Sequence, residues 1–103
     1  MIETIEIIIQ NSLNEETHAI ILYSENICYK NNKEYKVTNE FLESIIRTIR
    51  TWKNEYGNHS KLIDSEEFNI IVKEKEKKET FHGKGIYPEN YDYLKELLGE
   101  LHD

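Results

Sequence analysis

The segment Thr4-Ile5-Glu6-Ile7-Ile8-Ile9-Gln10 holds four isoleucines in seven residues. β-Branched side chains are stiff at χ1 and suit the pleated surface of a sheet. The run is too short for a stable helix, so it reads as a strand buried on at least part of both faces. Such a strand needs neighbours, and the sequence supplies them. Residues 18–23 (HAIILY), 27–30 (ICYK) and 34–37 are further short strands, divided by the turn formers Ser24-Glu25-Asn26 and Asn31-Asn32. Their spacing predicts an antiparallel meander.

Thr38 then has the place of a helix N-cap, with Val37 able to staple against Leu42. Apolar residues at 41, 42, 45, 46, 49, 52 and 56 fall on one side of a helical projection, which predicts an amphipathic helix over 39–55 stopped by Gly57. Its opposite side (Glu43, Arg47, Arg50, Lys53, Asn54) is expected in solvent. Residues 61–64, 68–73 and 80–82 read as strands, with the charge run 73–79 at a hairpin tip. Pro88 is placed to open a last helix, whose stripe is Tyr91, Leu94, Leu97, Leu98 and Leu101. The expectation is therefore an α+β fold: an antiparallel sheet of five to seven strands with two amphipathic helices packed on one face. The chain should form a single domain over 1–103, in which 18–56 and 61–101 repeat the order strand, strand, strand, helix.

The formal charge of −7 is unevenly spread: residues 1–29 carry −5, the last fifteen −4, and the middle +2. An acidic chain gains nothing from counterion release on DNA or RNA, so a protein partner with a basic surface is expected rather than nucleic acid. Cys28 stands alone, which excludes an intramolecular disulfide and suits a reducing compartment. No apolar run reaches the roughly 18–20 residues that span a bilayer, and Met1-Ile2-Glu3-Thr4 lacks the basic start of a secretory leader. These features predict a cytoplasmic protein that does not bind membranes. Lys outnumbers Arg by eleven to two, a usage that accompanies AT-rich bacterial and phage genomes.

Sequence chemistry is sparse. His18, His59, His82 and His102 are not set at metal-ligand spacings, and Cys28 has no C-x-x-C partner, so neither metal nor other cofactor is expected. Cys28 lies inside a strand and is expected to be buried rather than nucleophilic. His82-Gly83-Lys84-Gly85 has the ingredients of an anion loop but neither G-x-x-x-x-G-K-[ST] nor G-x-G-x-x-G; its glycines are read as a bulge and a bend out of the last strand. No carboxylate pair sits in an apolar run that would raise its pKa for acid–base work. Tyr87, Tyr91 and Tyr93 form the most distinctive cluster, with Tyr91 on a core face and Tyr87 ahead of the helix.

The closing block, Phe68-Asn69-Ile70-Ile71-Val72 followed by Phe81-His82-Gly83-Lys84-Gly85-Ile86-Tyr87-Pro88-Glu89-Asn90-Tyr91 and Leu94-Lys95-Glu96-Leu97-Leu98, resembles the end of small Firmicute proteins in which a hairpin runs into a Y-P-x-N-Y helix. That resemblance spans about a third of the chain and implies no activity. The element order is also similar to that of emfourin-type metalloprotease inhibitors, although Asn11-Ser12-Leu13-Asn14 stands where that family has a Gly-Gly segment.

Together these features predict a non-enzymatic protein-binding module, a small acidic inhibitor of a basic, nucleic-acid-handling bacterial protein in the manner of phage anti-defence and anti-CRISPR proteins. The alternatives are a metalloprotease inhibitor and a self-assembling accessory domain, including a homodimer through an edge strand. Glu15, Glu16, Glu66, Glu67 and Tyr87 are the expected partner contacts, chosen for expected exposure.

Overall fold

A computed structural model describes residues 2–57 and 65–102. The element order is β1 (Ile2–Gln10), β2 (Glu16–Leu22), a 3-10 turn (Tyr23–Glu25), β3 (Ile27–Lys30), β4 (Lys33–Lys36), α1 (Asn39–Ile49), β5 (Glu55–Tyr56), β6 (Glu67–Glu74), β7 (Lys77–Lys84) and α2 (Tyr91–Gly99). The strands form one seven-stranded sheet in the order β4-β3-β2-β1-β6-β7-β5, antiparallel except where β5 runs parallel to β7. The α+β architecture with two helices is therefore as the sequence predicts.

β1 lies at the centre of the sheet, between β2 and β6. Its odd positions Ile5, Ile7 and Ile9 are buried, and the register carries that face outward through Ile21 and Ala19 on one side and Val72, Ile70 and Phe68 on the other. Both helices lie on this face: Leu42, Ile45 and Ile49 of α1 and Tyr91, Leu94, Leu97 and Leu98 of α2 belong to the same hydrophobic cluster as the odd positions of β1. Burial of β1 on both faces is corrected here, because Ile8 stays half-exposed on a face that carries no helix.

Local chemistry explains most of the boundaries. Asn31 and Asn32 both have positive φ (50° and 69°), as a two-residue type I′ hairpin requires, and Asn tolerates that region. Thr38 caps α1 by accepting a 3.0 Å hydrogen bond from the Phe41 N–H.

Four details differ from expectation. First, α1 ends at Ile49 rather than near 55. Beyond Trp52 the chain pairs with the edge of β7, where the His82 N–H donates to Asn54 O (2.9 Å) and Asn54 Nδ2 donates to Thr80 O (2.8 Å). Continued helix would leave that edge unpaired. Gly57 (φ 63°) therefore turns the chain after β5 instead of stopping a helix. Second, the charge run 73–79 is mostly strand: Lys73 pairs with Lys78 and Glu74 with Lys77, leaving Lys75 and Glu76 as the turn. Third, α2 begins at Tyr91, and Pro88 lies in the preceding turn, where its carbonyl accepts from the Tyr91 N–H (3.2 Å). Fourth, Gly83 stays within β7 rather than forming a bulge, while Gly85 (φ 81°) makes the bend. The strand expected at 61–64, which opens the second half of the expected repeat, lies outside the described residues, as does His59.

Phe68 is fully buried and is the hub of an aromatic group, with ring centroids at 5.1 Å to Tyr91, 5.6 Å to Trp52, 6.3 Å to Tyr56 and 6.4 Å to Tyr87. Gly83 lies beside Phe68 in the register, and a Cβ there would collide with its ring. Phe68→Ala should cost about 3–5 kcal/mol through lost contact and the cavity left behind. Gly83→Ala should cost about 1–3 kcal/mol by overpacking, since the ring is held from four sides. Urea unfolding of both variants checks this ranking, and a neutral Gly83→Ala would refute the packing role given to that glycine.

Candidate functional site

The sheet end at which β1 finishes meets α2 in an open cleft of about 360 Å³, lined among others by Glu15, Glu16, Asn31, Glu66, Lys30 and Lys95. Its near wall is the β1–β2 loop, which the Asn11 side chain shapes: Oδ1 accepts from the N–H groups of Leu13 (2.9 Å) and Glu15 (3.0 Å). This is the local turn chemistry that asparagine offers a backbone. Asn14 adopts φ 62° in the same loop, and the exposed Leu13 sits at its tip. Asn31 Oδ1 accepts from the His18 N–H (2.9 Å) and ties the β3–β4 turn to β2.

The far wall is α2, held by two lysines. Lys30 alternates onto the helix-bearing face, and its Nζ donates to Leu98 O (2.9 Å) and Leu101 O (2.8 Å). A cation thus sits against carbonyls at the C-terminal end of the helix, where the macrodipole favours positive charge; Leu98 O also accepts from the Leu101 N–H (3.1 Å). Lys95 Nζ reaches Glu66 Oε1 (3.1 Å) and Oε2 (3.0 Å), and lies 5.5 Å from the Tyr91 ring centroid. Tyr91 Oη donates to Glu66 Oε2 (2.5 Å), and Tyr87 Oη donates to the Glu66 backbone carbonyl (2.7 Å). The Tyr87 and Tyr91 rings stack at 4.8 Å. Burial first, and then the Glu66 carboxylate, push the Tyr91 phenol far above its usual range.

The five expected contact residues separate accordingly. Glu15 and Glu16 are exposed at the mouth of the cleft, and neither carboxylate has a partner among the described residues. Glu66 shares the cleft but is only 20% exposed and is engaged by Lys95 and Tyr91. Tyr87 is half-buried and spends its hydroxyl on the backbone. Glu67, which follows Glu66 as the first residue of β6, points to the opposite face of the sheet, where its Oε2 lies 2.6 Å from His82 Nε2. The exposure assumed for Glu66, Glu67 and Tyr87 is therefore corrected, since each makes an internal bond. Lys30 and Lys95 were missed by the sequence reading. Alternation from Cys28 already places Lys30 inward, an unusual position for a lysine that points to an internal acceptor.

The remaining reactive groups lie elsewhere. Cys28 is buried, and desolvation raises its thiol to about 11, far from thiolate at neutral pH. His82 stands on the helix-free face, with Glu67 on Nε2 and Glu55 on Nδ1 at 3.0 Å. The hydrogen bond that the ring donates to Glu67 first, then that to Glu55, raises its pKa above the ordinary imidazole value. Among the described residues no three His, Cys, Asp or Glu side chains are grouped to hold a metal ion, and no helix is long and apolar enough to cross a membrane. No family model, curated protein or solved structure matches the chain.

His82 joins β5 to β6 across β7, so its protonation is linked to the stability of that edge. Because the folded pKa is raised, the contribution is fully present below the unfolded value of about 6.5 and is lost as pH rises through the higher folded value. The melting-temperature gap between the wild type and His82→Gln should therefore be wider at pH 6 than at pH 8.5. An equal gap at both pH values would exclude the linkage. Cys28 should react with an aromatic disulfide reagent at the rate of unfolding rather than at that of a free thiol; fast modification of the native protein would contradict its burial.

Proposed function

We propose that the protein is a non-enzymatic, protein-binding module that offers an acidic surface to a basic, nucleic-acid-handling bacterial protein, and so acts as an antagonist of the phage anti-defence, anti-CRISPR-like type. The observation that carries this reading is the asymmetry of charge at the cleft. Lys30 is committed to the end of α2 and Lys95 to Glu66, whereas Glu15 and Glu16 stand exposed on the rim without partners. Exposed carboxylates at the end of a loop tied down by Asn11 (Glu15) and at the start of β2 (Glu16) form a preorganised negative feature. With a net charge of −7 behind it, long-range attraction would speed encounter with a cationic groove and repel nucleic acid from the same groove.

The lone cysteine as a buried free thiol agrees with a reducing compartment, and we place the protein in the cytoplasm. The raised thiol pKa removes Cys28 as a nucleophile, which agrees with binding rather than thiol catalysis.

Affinity capture from bacterial lysate at low and high salt tests the reading. A basic nucleic-acid-handling protein should be retained at low salt and released as screening shortens the reach of exposed charges. E15K/E16K should weaken capture at least about tenfold without changing the fold, because the replacements reverse charge at an electrostatic rim. Retention of the same partner by the double variant, or indifference to salt, would refute phosphate-like mimicry at this rim.

A further inference from the structure

Among the described residues, both helices lie on one face of the sheet and none covers the other. The open face is ordered along the strands. Across the end where β1 begins, the register sets Lys36, Ile27, Leu22, Thr4, Lys73 and Lys78 side by side, a row with three lysines and no acid. At the other end, alternation places Glu16, Glu67 and Glu55 on the same face, with Lys84 as the one cation and His82 bonded to two of the acids. Between them lie Tyr29, Ile20, Ile71 and Ile8, all partly exposed, with the Glu6–His18 pair (2.6 Å) and Glu34, which accepts from the Tyr29 hydroxyl (3.1 Å), set among them. Lys36, Lys73 and Lys78 have no ion-pair partner among the described residues.

A face with base at one end, acid at the other and apolar side chains between is self-complementary. A two-fold interface uses the same patch on both copies, so self-complementarity is what it requires. A two-fold axis lying between the faces and perpendicular to the strands reverses strand direction and brings each basic end over its partner's acidic end. An axis parallel to the strands would set like charges together. On β6 the match is close: Lys73 and Glu67 lie three residues either side of Ile70, so an axis over Ile70 stacks each Lys73 on the partner's Glu67. We infer that the helix-free sheet face is the interface of a homodimer, two copies packing these faces with their strands antiparallel and Lys73 meeting Glu67 across the two-fold axis.

The described face measures about 24 Å across six strands and about 20 Å along them, from strand spacing and rise. Its footprint is therefore about 500 Å² per copy, about 1,000 Å² in all, at the lower limit for a specific interface. The dimer is consequently weak, concentration-dependent and salt-sensitive. Glu15 lies on a loop outside this footprint, whereas Glu16 touches both the cleft and the edge of this face. The two readings are therefore separated by Ile20→Lys, K73E and E67K, which leave the rim unchanged.

Sedimentation equilibrium of the full chain over micromolar to sub-millimolar concentrations tests the inference. The mass should rise from 12.3 kDa towards twice that value. Ile20→Lys, at a half-exposed position on this face, should abolish the rise while leaving the circular dichroism unchanged. K73E and E67K should each weaken the dimer at least about tenfold by placing like charges together. Mixed in equal amounts, the two variants should pair with each other, because one supplies two acids and the other two bases. A wild type that stays monomeric, a dimer indifferent to Ile20→Lys, variants that fail to pair when mixed, or a monomer that uses this face to hold a different protein would each overturn the inference.

Discussion

Alternate isoleucines of β1 decide which face of the sheet is inside. Ile5, Ile7 and Ile9 sit on the central strand with β2 and β6 on either side, so their burial propagates through the register to Ala19, Ile21, Phe68, Ile70 and Val72. A slip of one residue would exchange the isoleucines with Glu6 and send a carboxylate into the core, at a cost of several kcal/mol. Both helices then have one apolar surface on which to pack, and their stripes meet it in a single cluster. The polarity of the opposite face follows from the same alternation, because Thr4, Glu6, Ile8 and Gln10 must point away.

The aromatic group around Phe68 connects this core to the cleft. Phe68 holds Tyr91 from below, Tyr87 stacks on Tyr91, and the two hydroxyls converge on Glu66. Glu66 in turn holds Lys95, while Lys30 holds the far end of α2. A carboxylate that looks like a surface group in the sequence is thus a structural hinge-point between β6 and α2. Its charge is compensated locally, which leaves the neighbouring Glu15 and Glu16 as the free acids at that end of the molecule. Buried, hydrogen-bonded charge fixes geometry, and exposed unpaired charge is what a partner feels at a distance.

Much of this was legible in the residues. The β-branched runs, the Asn31-Asn32 turn, the Thr38 cap and the stripes of both helices report local preferences, and the structure follows them closely. Helix α1 was overestimated because Trp52 and Tyr56 continue its periodicity, while the pull of the β7 edge on Asn54 and Glu55 is invisible until β7 is in place. The hydrophilic run 73–79 reads as a hairpin tip, and the tip does fall within it at Lys75-Glu76, but strand pairing takes in the residues on either side and overrides their composition. The same limit applies to the candidate contacts, since exposure of Glu66, Glu67 and Tyr87 depends on residues 21–29 positions away in Tyr91, Lys95 and the Tyr87–Glu66 bond, and 15 positions away in His82.

The sequence by itself determined the class of fold, the acidity and the inward phase of each strand and helix, because these depend on periodicity and composition over a few neighbouring residues. Tertiary structure alone decided that Glu66 meets Tyr91 and Lys95 while Glu67 meets His82, that Lys30 caps a helix, and that acid and base separate to opposite ends of one open face. Those outcomes depend on strand order and register, which place side chains distant in sequence within hydrogen-bonding reach. Alternation gives each residue a face, but pairing gives it its neighbours.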